Sequence, residues 1–522
     1  MLSRLSSTAA RASPLGRTAQ QLLVAHLPPS SSFTTSTSTS TSTSSSSSTR
    51  VDHGHLPNAP TSPYVNNLQE AFFSEVRANI PTSAQVKRST HDTEIDAQLA
   101  RPGTGIPTFR LIDGVGKLLE GVSEESLNIT REEARKMYKT MLFLPAFDLI
   151  LSNAQRQGRI SFMMTSAGEE AAIIGSASAL SPNDEVFTQY RESGVLIWRG
   201  CSLDQMMAQV FGTEDDICGA RQMPIHFGSP EHKFHTISSP LATQIPQAAG
   251  AAYALKRSPG RQNDIVVCYF GEGAASEGDF HAGVNMASTL DCPILFIARN
   301  NGFAISTPAT EQFKGDGIAS RGPGYGMETL RVDGNDVFAV RAAVQAAKAR
   351  IVSTSRPVLL ELMSYRVGHH STSDDSSAYR SKDRVEDWKR LDNPLHRMRN
   401  FLQDRGWWSA EEEEATKKEH RSAVLQAINR AEGRMRPSIS SMFEDVYSRE
   451  DGGEASGSGS ADGRGRGRGM PTALRDQRAE LARLIKKYGA YEPWAREIAK
   501  HRHQGADLNE FAAEPAKSPK SS

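Results

Sequence analysis

The sequence predicts an α/β fold, a largely parallel sheet flanked by helices, with helical additions at the carboxyl end. Three observations predict it. Helix and strand signals alternate from about Thr130 to Met363, the pattern of βαβ units. The strand candidates are short, continuous apolar runs, as in strands buried on both faces. One stretch, Asp264 to Asn301, contains a whole strand, glycine-rich turn, helix and second strand.

The chain's 522 residues divide as follows. Residues 1–50 carry Arg4, Arg11, Arg17 and Arg50 without one acidic residue, with leucines interspersed and a Ser/Thr tract from Ser30 to Thr49. Such composition marks an organelle transit peptide, outside the fold. Residues 51–121 read as an extended arm. Residues 122–400 carry the α/β pattern. Thr130 and Glu133 form a capping box that opens a long helix toward Gln157. Gly168 to Leu180 reads as a small-residue helix, Glu185 to Thr188 as a strand and Gln247 to Leu255 as an alanine-rich helix. Ile265 to Phe270 is a strand, and Ser276 to Leu290 a helix with Phe280, Val284 and Ala287 on one face. Pro293 opens a strand through Ala298. Thr329 to Val332, Asp336 to Val352 and Val358 to Leu362 read as strand, helix and buried strand. Residues 401–450 form a helical extension in which Ser409 and Glu412 cap a helix and Ser438 to Tyr447 packs back on the domain. Residues 451–470, rich in Gly, Ser and Arg, read as a flexible insertion. A helical segment and tail, 471–522, follow.

The chemistry concentrates at the turns of the 264–301 unit. A βαβ crossover makes its two strands parallel, so Glu272 in Gly271-Glu272-Gly273 and Asn301 after the second strand reach the same carboxyl edge. Ligands of open α/β sheets bind there. A carboxylate and an amide oxygen suit Mg²⁺, which takes few protein ligands and fills its octahedron with phosphate oxygens. Gly315-Asp316-Gly317 repeats the glycine-acid-glycine pattern without a preceding apolar strand, and reads as a loop.

This unit resembles the thiamin diphosphate motif that runs from GDG to NN, with Glu272 in place of the usual Asp. The strings QYRESGVLIWRG, TISSPLATQIPQAAGAAYA, RNNGFAIST and YRVGHHSTSDDSSAYRS resemble the α chains of the branched-chain 2-oxo acid dehydrogenases from about Ile106 to Tyr447, and again from Pro471. The resemblance implies thiamin diphosphate-dependent oxidative decarboxylation of branched-chain 2-oxo acids in the mitochondrial matrix, with reductive acylation of a lipoyl group. The α chains for pyruvate or acetoin are the alternative. It implies as partners a β chain, in an assembly of two α and two β chains, a lipoyl-bearing acyltransferase core, and a regulatory kinase and phosphatase.

It also implies roles residue by residue. Gln189, Tyr190, Arg191, Ser239, Leu241, Gly271, Glu272, Gly273, Ala274, Arg299 and His370 match cofactor-binding positions, and His370 the active-site histidine. Glu272, Asn301 and the main-chain carbonyl of Phe303 match magnesium ligands. Ser238, Pro240, Thr243 and Gln244 match ligands of a structural potassium ion. Ser371 and Ser381 match phosphorylated serines.

Composition excludes other classes. Sixty basic residues balance sixty acidic ones, so no global charge points to nucleic acid or a membrane surface. No apolar run approaches the ~18 residues of a membrane helix. The GRGRGRG tract, with Arg464, Arg466 and Arg468, lacks interleaved aromatics and is flanked by acids. Four cysteines without CxxC spacing read as reduced, mostly buried thiols. The clusters around His53 and His501 lack a third metal ligand and read as solvated tails.

Overall fold

A computed structural model describes residues 106–444, 446 and 472–502. The leader 1–50, the arm as far as residue 105 and the insertion 451–470 lie outside the described residues. In chain order the elements are β1 (Thr108–Phe109), α1 (Arg131–Arg156), α2 (Glu170–Ser178), β2 (Glu185–Phe187), α3 (Ser193–Trp198), α4 (Leu203–Phe211) and α5 (Gln244–Lys256). Next come β3 (Val266–Gly271), α6 (Gly278–Thr289), β4 (Ile294–Asn300), a hairpin of β5 (Phe303–Ala304) and β6 (Thr307–Pro308), and α7 (Ala309–Gln312). β7 (Glu328–Asp333), α8 (Val337–Thr354) and β8 (Val358–Met363) complete the α/β part. The helices α9 (Lys382–Leu391), α10 (Pro394–Asp404), α11 (Ala410–Glu432), α12 (Thr472–Tyr488) and α13 (Trp494–Ile498) follow.

Six strands form one parallel sheet in the order β1-β7-β8-β4-β3-β2. Its centre is apolar on both faces because alternate residues of a strand point opposite ways. Val267, Tyr269, Leu295 and Ile297 join the core shared with α1, α2 and α8. Val266, Cys268, Phe270, Ile294, Phe296 and Ala298 join the second core, under α5 and α6. Phe270 lies 5.5 Å from Phe280 of α6 and 6.4 Å from Phe296 of β4, ring centre to ring centre. Burying each such ring contributes about 1.5–3 kcal/mol. Gly283 lets α6 press against α5: a Cβ there would meet Pro246 N at 2.9 Å.

The predicted helices and strands form with ends displaced by a few residues. Thr130 caps α1 through the expected box with Glu133, and Ser409 caps α11. Phe443 packs with Ala482 of α12. The Gly315-Asp316-Gly317 segment is a loop in which Asp316 accepts from Arg331 at 2.9 Å and from the Ile106 amide at 2.7 Å.

Three expectations change. The end of the arm is not simply extended: β1 adds to the sheet beside β7, held because buried Asp336 accepts from the amides of Leu111 and Ile112 at 2.6 and 2.8 Å. His501 is not a solvated tail residue; its Nδ1 lies 2.8 Å from the Pro437 carbonyl, beside a bridge to Arg436. Of the four free thiols, Cys268 and Cys292 are buried, whereas Cys201 and Cys218 are half-buried. Among the described residues no helix is long and apolar enough to cross a membrane.

Candidate active site

β3 and β4 pair with Gly271 opposite Arg299, so the first residues past each strand fall side by side. The Asn301 amide donates to Glu272 Oε2 at 3.4 Å. Here, at the carboxyl edge of the sheet, opens a cavity of about 260 Å³. It is lined by Gln189, Tyr190, Arg191, Ser239, Leu241, Gly271, Glu272, Gly273, Ala274, Arg299, Asn301, Phe303 and His370. Phe162, Met164, Met223, His226, Ala304, Ile305 and Arg366, which sequence reasoning did not single out, line it too. Gly273 is required by a close approach, because a Cβ there would stand 2.9 Å from the Ala304 Cβ. Gln189 Oε1 accepts from the Gly271 amide at 2.8 Å and ties β2 to this turn.

The floor is a buried charge network. Arg299 is ion-paired to Glu169 and Glu192, all three almost fully buried. Burial, the largest single influence on each, would lower the Arg299 guanidinium and raise the Glu169 carboxyl, but their partners together outweigh it: Glu169, Glu192 and Glu272 hold Arg299 up, and Arg299, Arg191, Asn301 and Arg366 hold Glu169 down. Glu192 stays above the ordinary carboxylate range because burial wins there. Glu169 Oε1 also accepts from Asn301 Nδ2 at 2.6 Å. That bond fixes the amide, since a carboxylate only accepts, and turns Asn301 Oδ1 toward the Phe303 amide at 3.2 Å. Glu272, 2 % exposed, is pushed up to about 7, first by burial and then by the negative Glu169.

His370 lines the same cavity. Arg191 Nη2 stands 3.0 Å and Arg366 Nη1 3.1 Å from His370 Nδ1. Guanidinium groups only donate, so Nδ1 accepts and the ring proton sits on Nε2. Burial, then Arg191 and Arg366, push the imidazole down to about 3. The ring is thus held neutral, with its Nε2 hydrogen as the one it can donate. Arg191 also donates to the His370 carbonyl at 2.8 Å, and Asp374 Oδ2 accepts from the His370 amide at 2.7 Å and from the Tyr379 hydroxyl at 2.6 Å. His369 turns away, its Nδ1 accepting from the Ser376 amide at 3.0 Å.

The remaining candidates lie off the cavity wall. Ser238, Pro240, Thr243 and Gln244 share the turn that opens α5, where Thr243 Oγ1 donates to the Pro240 carbonyl at 3.3 Å and Gln244 Nε2 to the Tyr269 carbonyl at 3.0 Å. Ser371 is half-buried next to His370, its Oγ accepting from the Ser373 amide at 3.3 Å; Ser381 is exposed before α9. Sequence reasoning missed Glu169, Glu192, Arg366 and His226, each ordinary in its local context.

The donors fit a metal-bound diphosphate. Glu272 faces the cavity as a buried carboxylate while the nearby cation, Arg299, is spent on Glu169 and Glu192. A hard divalent ion relieves such a group. The oxygen set of Glu272, Asn301 and Phe303 has one carboxylate, in keeping with the lack, among the described residues, of any cluster of three His, Cys, Asp or Glu side chains.

The family description "dehydrogenase E1 component" matches residues 138–440. The chain is 51 % identical over 390 residues to the mitochondrial 2-oxoisovalerate dehydrogenase subunit alpha of Bos taurus, covering 75 % of this chain and 80 % of that one. It is 50 % identical over 390 residues to the Homo sapiens protein of the same description, covering 75 % and 82 %. To subunit alpha 1 of Arabidopsis thaliana it is 48 % identical over 342 residues, covering 66 % and 72 %. With this sheet, this cavity edge and these similarities, the chain belongs to the dehydrogenase E1 component family.

Proposed function

We propose that the chain is the α subunit of a mitochondrial, thiamin diphosphate-dependent E1 component that oxidatively decarboxylates branched-chain 2-oxo acids, such as 3-methyl-2-oxobutanoate, and passes the acyl group to lipoyl. The observation that carries this is the convergence of Glu272, Asn301, Arg191 and His370 on one cavity at the sheet's carboxyl edge in a chain about half identical to 2-oxoisovalerate dehydrogenase α subunits. Those relatives do not favour the pyruvate or acetoin alternative.

Bound thiamin diphosphate supplies the electron sink for breaking the carbon–carboxylate bond. The chain's own residues bind and orient. Glu272, Asn301 Oδ1 and the Phe303 carbonyl would hold Mg²⁺, with Tyr190, Arg191, Gln189, Arg299 and the 271–274 turn around the diphosphate. The Arg191 fork suits phosphate oxygens. His370 holds a proton on Nε2, and a preorganised neutral donor lowers the cost of negative charge building on a nearby oxygen. Phe162, Met164 and Leu241 offer an apolar surface to a branched acyl chain and keep water out. Ser238, Pro240, Thr243 and Gln244 would hold a potassium ion that braces the turn carrying Ser239 and Leu241.

The partners are a β chain and a lipoyl-bearing acyltransferase core. Met223, Leu241 and Ile305 leave the cavity mouth apolar and exposed in the isolated chain, as a surface covered by another subunit is. A kinase and phosphatase acting on Ser371 and Ser381 complete the proposal. Co-expression with a β chain tests it: carbon dioxide release from 3-methyl-2-oxobutanoate should require thiamin diphosphate and Mg²⁺ and exceed that from pyruvate. Cofactor-independent turnover, or a preference for pyruvate, overturns the reading.

A further inference from the structure

Asn301 lines the cavity with an amide whose two ends differ in chemistry but hardly in shape. Its Oδ1 can hold a cation and its Nδ2 cannot, and half a turn of the amide exchanges them. The neighbours decide which end faces out. Glu169 Oε1 accepts from Asn301 Nδ2 at 2.6 Å, a charge-assisted bond. At the other end, Asn301 Oδ1 accepts only the longer bond from the Phe303 amide at 3.2 Å.

Glu169 is aimed by its own surroundings. It stands at the cap position before α2, where an acid ordinarily accepts from the first amides of its helix, yet its side chain makes no such bond. Gly168 has φ of +94°, and a Cβ there would collide with the Tyr365 carbonyl, so the turn is pressed against the segment that leaves β8. The Val367 amide donates to the Ala167 carbonyl at 2.9 Å, and the Glu169 amide to the Ser166 carbonyl at 2.9 Å. The Glu169 carboxylate is fully buried, and its Oε2 is taken by Arg299. Both of its oxygens are therefore committed to the turn from Arg299 to Asn301.

We infer that Glu169 is a positioning residue that turns the Asn301 amide oxygen toward the metal, and that it must be an acid to do so. The inference rests on the proposed thiamin diphosphate function. Glutamine has the same shape but a single acceptor oxygen. In Glu169→Gln the charged Arg299 takes that oxygen, because a charge-assisted bond is stronger than one between two amides. The new NH₂ group then faces Asn301 Nδ2, donor against donor. Asn301 relieves this by turning over, which gives its oxygen to position 169 and its NH₂ to the cavity, where a cation finds nothing to bind. An acid serves Arg299 and Asn301 at once.

The test is a calorimetric titration of Mg²⁺ into the assembled α/β enzyme at a fixed concentration of thiamin diphosphate. Glu169→Gln should weaken Mg²⁺ binding about ten- to hundredfold, the usual effect of removing a group that orients a metal ligand. Exchanging acid and amide, Glu169→Gln together with Asn301→Asp, should bring the affinity back to within about fivefold of wild type. The amide oxygen at 169 then stays on Arg299, its NH₂ donates to one oxygen of the carboxylate at 301, and the other oxygen faces the cavity, with the total buried charge unchanged. A residue that only supports the fold would instead lower the unfolding temperature of the ligand-free assembly with each change and gain nothing from the exchange. Absence of Mg²⁺-dependent thiamin diphosphate binding in wild type sinks the function itself. Unchanged Mg²⁺ affinity in Glu169→Gln, or a loss that the exchange does not restore, overturns this inference alone. Should Glu169→Gln fail to assemble, the exchanged pair is read against wild type: affinity within about fivefold supports the inference, and a larger loss overturns it.

Discussion

A carboxyl group that is 2 % exposed and pushed up to about 7 stands in its fold at a cost that a cation removes. We propose Glu272 on this ground as the anchor for the metal. Glu272→Ala should lower Mg²⁺-supported thiamin diphosphate affinity at least tenfold, about 1.4 kcal/mol, without lowering the unfolding temperature of the ligand-free complex, because the variant no longer buries a charge. Calorimetry on the α/β assembly checks the first half and a thermal melt the second; unchanged affinity places the metal elsewhere. Glu272 and Asn301 were legible in the sequence because each is the first residue past a recognisable strand, and parallel pairing then decides where it lies. Glu169, Glu192 and Arg366 were not. They belong to the site through pairings between segments far apart in the chain, such as Arg299 with Glu169 across 130 positions, and nothing local distinguishes a buried acid from a solvated one.

At the scale of elements, the segment from Gly368 to Arg380 is fastened at a few points. Asp374 holds the His370 amide and the Tyr379 hydroxyl, Arg380 Nη2 donates to the Gly368 carbonyl at 2.7 Å, and Arg366 joins Tyr379 at 2.8 Å. Ser371 sits between His370 and these ties. A phosphate there adds about 1.5 to 2 negative charges next to Asp374, in a site that the proposed function also gives a diphosphate. Repulsion in a partly dry pocket exceeds that in water, and exchanging Asp374 from His370 to solvent is the least costly release. Kinase-treated wild type should therefore lose acylation of the lipoyl domain at least tenfold while Ser371→Ala, treated alike, keeps it. Full activity of the phosphorylated wild type disproves the switch. The helices and strands of the domain were legible from period and capping, as Thr130 and Ser409 show. β1 was not, because two residues carry no periodicity and its partner β7 lies more than 200 positions on.

Across the whole molecule, the layer of α1 and α2 is tied to the site by acids that the proposed chemistry does not use. Asp148 of α1 accepts from the Ser166 amide and hydroxyl at 2.6 and 2.9 Å, and Glu170 of α2 from the Gly168 amide at 3.0 Å. The adjoining Thr165 carbonyl accepts from Arg191. The fold class was legible because apolar strands and amphipathic helices alternate; this tie was not, since its burial emerges only when the layers close. Burial pushes Asp148 up to about 7, and burial with the neighbouring Asp148 and Glu169 charges pushes Glu170 up to about 8. Both therefore bind a proton more tightly folded than unfolded. Their contribution to stability is full below the reference values of 3.8 and 4.5 and is lost as pH rises through about 7 and 8. Glu170→Gln keeps an oxygen for the Gly168 amide and removes one titration. Between about pH 6 and pH 8.5 the wild-type assembly should lose a few degrees more in unfolding temperature than the variant, on the order of one to two kcal/mol in a protein of this size. Parallel losses in the two proteins would mean that Glu170 is already ionised at the lower pH, and that the acids between α1 and α2 stand in water rather than in the core.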